Sequence, residues 1–375
     1  MRKNSVDQRD LRAAAVLHLR SRLATSRSSL ARALDASPST LGLHVDQLIA
    51  RGYATESGLD QGALGRPRRL LTLRPEAGWF AGVEFNAERV QVVRVDFAGT
   101  VRATEVWQLP AEPDAATVMK QIVQMLEKLA REAGAPPLAI GIGTPGLVDP
   151  RSGMAIHYSF VRGWRDVPLG PTVQARFAVP VTLENNLRAI ALAERWFGGG
   201  RDLNDYVILG PRSGFGISIM HGGQVLRGAH HAAGEIGRWP WPLAGGSHEL
   251  HDKLSAPAVY RRLTGLFEDD PLPPDLGAAF GGMVAEDTLE WQEVVGDYAR
   301  VIGCLQLLLD TEVFFLHGPL TALGQRFCTA ITTAARGIAP AMAEMPLQII
   351  PSALGDDAGA LGAASVAMEA WTPPA

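Results

Sequence analysis

The clearest binding chemistry in the sequence is an arginine cluster in the segment GRPRR, at residues 65–69. Arg66, Arg68 and Arg69 follow a glycine-rich stretch, which is typical of a projecting hairpin. Guanidinium groups on such a hairpin can reach backbone phosphates or enter a narrow minor groove. The cluster therefore predicts contact with a polyanion.

The residues before this hairpin have the pattern of a helix. Ser37 is suited to be its N-cap, and Pro38 suits its first position because the missing N–H has no intrahelical partner there. Four apolar residues recur at helical spacing and are expected to face a core: Leu41, Val45, Leu48 and Ile49. The opposite face carries Ser39, Gly42, Leu43 and Asp46, which are small or weakly charged, so this face can lie close to another surface.

Together these features predict a winged helix-turn-helix with its first helix over residues 10–22, its recognition helix over residues 38–51 and a return strand over residues 70–73. A helix of this kind fits the major groove of DNA. The expected DNA contacts are Ser39, Thr40, Gly42, Leu43 and His44 on the helix, and Arg66, Arg68 and Arg69 on the wing. The alternative is a three-helix bundle used only for protein contacts.

The distribution of charge supports the DNA-binding interpretation. Residues 1–70 contain 12 Lys/Arg and 6 Asp/Glu, a net charge of +6, whereas the other residues contain 23 and 33, a net charge of −10. A basic module joined to an acidic body is expected when only the first part meets a nucleic acid.

The remaining composition indicates an ordinary globular protein, with 47% hydrophobic and 20% charged residues. Cys304 and Cys328 are too few and too far apart for a disulfide framework or a thiolate zinc site. The N-terminal sequence lacks the apolar core of an export signal, and no stretch is long and apolar enough for a membrane span. We therefore expect a cytoplasmic protein that does not bind a membrane.

The residue pattern divides the chain into a DNA-binding domain over residues 1–73, a short linker over residues 74–78 and a body over residues 79–375. Strands and helices alternate through the body, which indicates an α/β fold. The linker contains Pro75 and is too short to be a loose tether. A conformational change of the body is thus expected to alter the position of the DNA-binding domain, the head.

Four motifs in the body resemble the ROK family of repressors, sugar kinases and uncharacterised open reading frames. They are GIGTPGLVD at 141–149, GWRDVPL at 163–169, LENN with the helix ending in ERWFG at 183–198, and LRGAHHAAGEIG at 226–237. The resemblance covers nearly the whole chain and implies an actin-like, two-lobed sugar-kinase fold. The winged helix and its GRP wing are similar to the repressor branch of the family.

The same resemblance shows where kinase chemistry is missing. ROK kinases hold ATP phosphates with a DxGGTK turn, but the corresponding residues here, 84–89, read EFNAER. In the second glycine-rich turn, Pro211 has no N–H and Arg212 replaces a small residue. The family's catalytic Asp, which follows an Asn, is replaced by Asn186, and an amide cannot serve as a general base. We expect a pseudokinase-like protein with no catalytic residue, no cofactor and no enzyme activity.

The family's zinc ligands are a His and three cysteines. Arg238 stands at the His position, and residues 242–249, PLAGGSHE, replace the cysteine motif. His248, Glu249 and His251 offer an alternative cluster, but their spacing matches no strong metal motif, and solvated loop side chains are the simpler interpretation. No metal is expected.

The sugar pocket implied by the family is partly retained. Asn185 and Glu235 match residues that bond sugar hydroxyls, and Asn186 can still do so without catalysis. Phe160 replaces a family Asn, and Arg238 replaces the zinc-linked His. A ligand could stack on the ring of Phe160 or Trp164 and accept paired hydrogen bonds from the guanidinium of Arg238. These contacts suit an acidic or modified sugar. The alternative is a decayed pocket whose residues only pack together.

These expectations combine into a DNA-binding transcriptional regulator, expected to be a repressor, which a sugar-like small molecule controls through an inactive ROK domain. Its expected partners are double-stranded DNA with a palindromic operator, the sugar effector and further copies of the chain in a homodimer or homotetramer. Two alternatives remain. One is a sugar kinase with an appended DNA-binding head, and the other is a constitutive DNA-binding protein with a non-functional pocket.

Overall fold

A computed structural model of the chain describes residues 11–21, 24–60, 68–86, 88–243, 246–283, 288–338 and 344–374. Its contacts divide the chain into two compact units. The first contains residues 1–189 and 359–375, and the second contains residues 190–358. The head, which was predicted to extend to residue 73, packs onto the rest of the first unit.

The head has the elements of a winged helix. They are α1 (Leu11–Ser21), β1 (Thr25–Ser26), α2 (Arg27–Ala33), α3 (Pro38–Ala50), β2 (Ala54–Asp60) and β3 (Arg68–Leu73). The three strands form an antiparallel sheet in the order β1-β3-β2. Ser26 and Ser37 cap α2 and α3 by accepting hydrogen bonds from backbone amides three residues further on, so the predicted cap at Ser37 is confirmed. The tip of the wing, residues 61–67 with Arg66, lies outside the described residues.

The rest of the first unit is built on a five-stranded sheet. Its strands are β4 (Trp79–Phe85), β5 (Arg89–Asp96), β6 (Val101–Gln108), β7 (Ala139–Thr144) and β11 (Val181–Asn185), in the spatial order β6-β5-β4-β7-β11. The first three are antiparallel, and β4, β7 and β11 are parallel. The other elements are α4 (Ala115–Ala133), β8 (Leu147–Asp149), β9 (Met154–His157), β10 (Arg165–Val167), α5 (Leu169–Phe177) and the start of α6 (Asn186–Phe197).

The second unit repeats this sheet topology. Its sheet contains β12 (Tyr206–Pro211), β13 (Phe215–His221), β14 (Gln224–Val225), β17 (Val313–Leu316) and β18 (Gln348–Pro351), in the order β14-β13-β12-β17-β18. The other elements are the hairpin β15 (Pro240–Leu243) and β16 (Gly246–Glu249), and the helices α7 (His251–Leu254), α8 (Ala256–Thr264), α9 (Leu276–Gly281), α10 (Leu289–Leu309) and α11 (Gly324–Ile338). Both units therefore place a three-stranded meander beside two parallel strands, which confirms the expected two-lobed sugar-kinase architecture.

Helix α12 (Ala358–Ala370) returns to the first unit and lies directly on its sheet. A Cβ atom added to Gly82 in β4 would lie 2.0 Å from the carbonyl oxygen of Ala360. At Gly141 in β7 it would lie 1.8 Å from the carbonyl oxygen of Ala363. These two strands lack side chains where the helix backbone meets them, so only glycine permits the contact.

The head packs on the body around one buried cation. The guanidinium of Arg20, in the last turn of α1, lies 5.0 Å from the ring centre of Phe80 and 5.2 Å from that of Phe97. It donates hydrogen bonds to the carbonyl oxygens of Phe97 (3.1 Å) and Met368 (3.3 Å). Burial lowers the pKa of Arg20 to about 9, so the group remains charged at neutral pH.

An aromatic cluster and the C-terminal residues extend this contact. Tyr53, which follows α3, stacks on Phe97 at 5.2 Å between ring centres and meets the edge of Trp371 at 5.4 Å. The carbonyl oxygen of Pro374 accepts hydrogen bonds from Arg12 in α1 and from Arg51, the C-cap of α3. The chain beyond α12 therefore contacts both the first helix of the head and its recognition helix.

None of the described helices is both long enough and apolar enough to cross a bilayer.

The close approach of α12 makes a prediction about stability. We expect Gly141→Ala to lower the free energy of unfolding by at least about 2 kcal/mol, because overpacking against backbone cannot relax by a rotamer change. Gly296→Ala in α10 is the matched control, since no atom lies within 4 Å of the added Cβ, and it should be neutral or slightly stabilising. Urea unfolding of both variants measures the difference. Equal midpoints would contradict the packing described for α12.

Candidate functional site

The outer face of α3 is exposed to solvent. Leu41, Val45 and Leu48 are buried, so the opposite stripe of the helix faces solvent. That stripe consists of exposed residues at helical spacing: Ser39, Leu43, Asp46, Gln47 and Ala50. A Cβ added to Gly42 would meet no atom within 4 Å, so the backbone there is open to close approach.

The other expected contacts on α3 are less accessible or already engaged. The hydroxyls of Ser39 and Thr40 lie 3.1 and 2.8 Å from the hydroxyl of the cap, Ser37. His44 is half-buried, and its Nδ1 is shielded from solvent. The outward stripe of the helix therefore passes through Leu43 rather than His44.

Arg27 holds the recognition helix against the wing. Its guanidinium lies 2.7 Å from Asp46 in α3 and 2.7 Å from Glu56 in β2, and it also donates to the carbonyl oxygen of Gly42 at 3.5 Å. The hydrogen bond from Arg27 lowers the pKa of Glu56. Arg27 thus pairs with two carboxylates that would otherwise repel a polyanion, and together with Arg69 beside Glu56 it balances their charge. No local sequence pattern predicts this role, because the two carboxylates are 19 and 29 residues away from Arg27.

The return strand of the wing, predicted over residues 70–73, begins two residues earlier, at Arg68. Arg68 is the first residue of β3, and Arg69 is exposed with one guanidinium nitrogen 3.4 Å from Glu56. At the surface such a pair contributes little, so it leaves Arg69 available to another anion.

At the position of the first glycine-rich turn of a kinase, the described amides of residues 86, 88 and 89 donate hydrogen bonds within the turn. The side-chain oxygen of Asn86 accepts hydrogen bonds from the backbone N–H groups of Glu88 and Arg89, both at 2.8 Å. The N–H of Asn86 donates to the carbonyl oxygen of Arg89 at 3.0 Å. A phosphate bound at this turn would have to displace these bonds, because a phosphate cradle consists of free backbone N–H groups.

The second turn is closed in a similar way. The N–H of Arg212 donates to the carbonyl oxygen of Gly214 at 2.8 Å, and the N–H of Phe215 donates to Nδ1 of His251 at 2.8 Å. The imidazole of His251 also occupies the space beside Gly214, where an added Cβ would lie 2.9 Å from Nδ1. His251 therefore acts as a structural acceptor in this turn.

The residues present do not fit the zinc site implied by the family. Residues 240–243 pair with residues 246–249 as an antiparallel hairpin, and Nδ1 of His251 is occupied by the bond from Phe215. Within the described parts of the chain, no group of three or more His, Cys, Asp or Glu side chains has the geometry to hold a metal ion.

Asn185 and Asn186 lie at the junction of β11 and α6 in the first unit. The Asn185 amide donates to the carbonyl oxygen of Gly146 at 3.1 Å, and its oxygen accepts from the N–H groups of Leu187 and Arg188 at 3.0 and 3.3 Å. Asn186 accepts one bond, from Leu187 at 2.9 Å. Asn185 is therefore largely committed to the helix start, whereas the side-chain nitrogen of Asn186 has no hydrogen-bond partner among the described residues.

A buried ion pair fixes this junction. Arg188 lies 2.7 Å from Glu184, one helical turn away in sequence, and both side chains are almost completely buried. Glu184 also accepts a hydrogen bond from the N–H of Asn185 at 2.9 Å. Removing either partner would leave a buried charge, so the pair restricts the position of both asparagines.

The two aromatic candidates differ in accessibility. Phe160 is 54% exposed, and its ring centre lies 5.5 Å from that of Tyr158. Trp164 is buried, with its ring centre 4.6 Å from that of Phe85. The expectation that Trp164 could stack on a ligand is therefore wrong, because the indole belongs to the core of the first unit.

Glu235 and Arg238 lie in the second unit, on a segment held close to β13. Glycines make this approach possible, since an added Cβ would lie 2.1 Å from the carbonyl oxygen of Ile217 at Gly234 and 2.0 Å from that of Phe215 at Gly237. Glu235 and Arg238 are exposed, and neither side chain has a partner among the described residues. Both are therefore available to a ligand. The structure describes them within the second unit, and Phe160, Asn185 and Asn186 within the first.

Comparison with known proteins identifies the family. The profile of the ROK family matches residues 80–370, which include both five-stranded sheets. The chain belongs to the ROK family. The match covers more than half of the chain and confirms the resemblance seen in its sequence motifs.

Relatives within the ROK family include regulators and kinases. The xylose repressor of Caldicellulosiruptor bescii is 30% identical over 215 residues, which cover 56% of this chain and 54% of the repressor. The chain thus spans about half the length of the curated relatives it matches. A solved ROK family transcriptional regulator, described as a homologue of the E. coli MLC protein, superposes with a TM-score of 0.77 over 96% of both chains at 20% identity, which establishes the fold alone. The ROK hexokinase of Thermus thermophilus superposes with a TM-score of 0.64 over 77% of this chain and 97% of the hexokinase, at 25% identity.

His317 provides a pH-dependent test of the second unit. It follows β17 and is fully buried, and this burial, with the nearby charge of Arg212, lowers its pKa to about 3. A histidine that is neutral when folded and titrates near its ordinary pKa of 6.5 when unfolded stabilises the fold above pH 6.5. That contribution is lost as the pH falls towards 3.

We expect the wild type to lose stability relative to His317→Gln by about 1.4 kcal/mol per pH unit between roughly pH 6 and pH 4. His221→Gln is the control, because His221 is exposed, and it should follow the wild type. Urea unfolding at each pH measures the three curves. Parallel curves for the wild type and His317→Gln would contradict the burial of a neutral imidazole.

Proposed function

We propose that the chain is a DNA-binding transcriptional regulator, a repressor, controlled by a sugar-like small molecule that binds a catalytically inactive ROK domain. One observation carries this proposal. An accessible recognition helix is joined to a sugar-kinase-like body whose first phosphate turn is closed by the side chain of Asn86. The similarity to the xylose repressor supports it.

The proposed DNA interface consists of the outer face of α3 and the arginines of the wing. Ser39, Gly42 and Leu43 face the major groove, and Arg66, Arg68 and Arg69 contact phosphates or the minor groove. The net charge of +6 on residues 1–70 supplies non-specific attraction to the duplex. The ion pairs of Arg27 with Asp46 and Glu56 reduce the repulsion between these two carboxylates and the DNA.

Each unit offers its own candidate contacts for an effector. In the first, Asn186 offers a free amide nitrogen and Phe160 an exposed ring for a sugar face. In the second, Glu235 and Arg238 offer unpaired charges to hydroxyl and acidic groups. Asn185 orients the helix that carries Asn186. This set suits a sugar or a sugar acid.

A sugar kinase with an appended head is the alternative. It is disfavoured because Asn186 cannot accept the proton of an attacking hydroxyl, and loss of a general base costs about 10² to 10⁴ in rate. Both glycine-rich turns have also used backbone amides that a phosphate would need. A coupled ADP-release assay across a sugar panel decides between the two, and turnover that Glu235→Ala abolishes would establish the kinase.

Helix α12 offers a route from the effector to DNA. At its start, the carbonyl oxygen of Gly359 and the Cα of Asn186 lie 3.6 and 3.7 Å from the position of an added Cβ on Gly143. At its end, Met368 and Trp371 contact Arg20 and Tyr53 in the head. A shift of Asn186 on binding effector would therefore be felt by the helix that positions the head. In a homodimer or homotetramer, such a change alters the spacing of two heads on a palindromic operator.

The first test of this function is a measurement of DNA affinity with and without sugars. We expect the full chain to protect a specific site upstream of its neighbouring genes, and xylose, another neutral sugar or a sugar acid to weaken that binding. In Glu235→Ala, DNA affinity should be unchanged, while effector affinity falls about 10- to 100-fold, because a hydrogen bond to a charged group contributes about 1.5–3 kcal/mol. Absence of any specific protected site would overturn the proposal. A protected site that no sugar affects would favour a constitutive DNA-binding protein.

The second test addresses the route through α12. We expect Trp371→Ala to bind effector normally, as measured by thermal shift, but to lose most of its effect on DNA. Effectors typically change affinity about 5- to 150-fold, and in this variant the ratio should fall to within about twofold of one. Trp107→Ala is the control, because Trp107 is a partly exposed tryptophan in β6. An unchanged ratio in Trp371→Ala would exclude this route.

A further inference from the structure

Two long side chains on the outer face of α3, those of Leu43 and Gln47, are exposed to solvent. Leu43 is 68% exposed. Gln47, one turn further on, is exposed and has no hydrogen-bond partner among the described residues. Both lie opposite the buried residues Leu41, Val45 and Leu48.

Their neighbours on this face are engaged or small. The hydroxyls of Ser39 and Thr40 lie within hydrogen-bond distance of the cap, Ser37. The carboxylate of Asp46 is paired with Arg27 at 2.7 Å. Gly42 leaves open space beside Leu43. Leu43 and Gln47 are therefore the long side chains of this face that remain free to reach bases.

The chemistry of the two side chains selects particular bases. The major groove presents one apolar group, the C5-methyl of thymine, and an exposed leucine can bury it. A glutamine can bond both N6 and N7 of adenine. Residues four apart on a helix are about 6 Å apart along its axis, which corresponds to about two stacked base pairs.

Resting on the proposed function, we infer that Leu43 and Gln47 determine the operator sequence by reading a thymine methyl and an adenine, one or two base pairs apart, in each half-site. Arg27 is a positioning residue in this arrangement, because it holds Asp46 and the carbonyl of Gly42 on the helix that carries both readers. The arginines of the wing add affinity without selecting these bases.

The test for Leu43 removes single methyl groups from DNA. Selection from random duplexes with the full chain supplies a preferred site, and each thymine is then replaced singly by deoxyuridine. We expect one thymine in each half-site to lose about fourfold in affinity when its methyl is removed, the value for one buried CH₂-sized group. Leu43→Ala should bind the thymine and deoxyuridine duplexes equally.

The matched control is Phe267→Ala, because Phe267 is an apolar residue of the second unit that is 81% exposed. It should keep the fourfold discrimination. Non-specific binding of Leu43→Ala and its dependence on salt should equal those of the wild type, which shows that the head remains folded and that phosphate contacts are intact.

The test for Gln47 removes one acceptor from adenine. Each adenine within two base pairs of the sensitive thymine is replaced singly by 7-deazaadenine, and one of these replacements should weaken wild-type binding at least about fivefold, since a bidentate contact discriminates by roughly 5- to 150-fold. Gln47→Ala should not distinguish the two bases.

The outcomes separate this inference from the function on which it rests. If the full chain selects no duplex, the proposed function fails and the inference with it. If the chain binds a selected duplex tightly but no thymine shows a methyl effect, or if Leu43→Ala retains that effect, the function stands and the inference is overturned.

Discussion

The first unit depends on the direct contact between the backbone of α12 and two strands of the sheet. Gly82 and Gly141 have no side chains to separate the helix from β4 and β7, and any added atom would meet a carbonyl oxygen. A helix held this closely cannot slide or rotate independently of the strands, because packed interiors do not deform continuously. Its start beside Gly143 and its end beside Trp371 are therefore positioned by the same two glycines.

Arg20 makes the contact between head and body specific. Burying a guanidinium is costly, and the cost is offset here by two aromatic faces, two carbonyl acceptors and the charges of Asp96 and Glu369. Removal of the head from this surface would break all of these contacts together. The aromatic cluster around Trp371 adds apolar area, whereas the cation requires one geometry. The contacts of Arg20 are therefore made only in this orientation of the head on the first unit.

The sequence predicted local features well and remote contacts poorly. Ser37, Pro38 and the apolar periodicity that follows them locate α3 correctly, because capping and amphipathicity are local. The hairpin of β15 and β16 was not predicted, since Pro240 and Pro242 argue against a strand. The identical strand order of the two units is also invisible in the sequence, because a topology can be repeated by different side chains. The role of Asn86 has a local signal in the sequence, since asparagine in a turn commonly accepts bonds from amides two or three residues ahead.

The closed turns bear on how the proposed regulator responds to its effector. In a kinase, the glycine-rich turns leave amides free, so nucleotide and sugar both contribute to the conformation of the body. Here the side chains of Asn86 and His251 are built-in acceptors for those amides, and each turn has its hydrogen bonds without a nucleotide. A ligand shifts a conformational equilibrium only by its difference in affinity between the two states. A regulator that binds no nucleotide would respond to the occupancy of its sugar site alone, and its response would follow the sugar concentration whatever the supply of ATP.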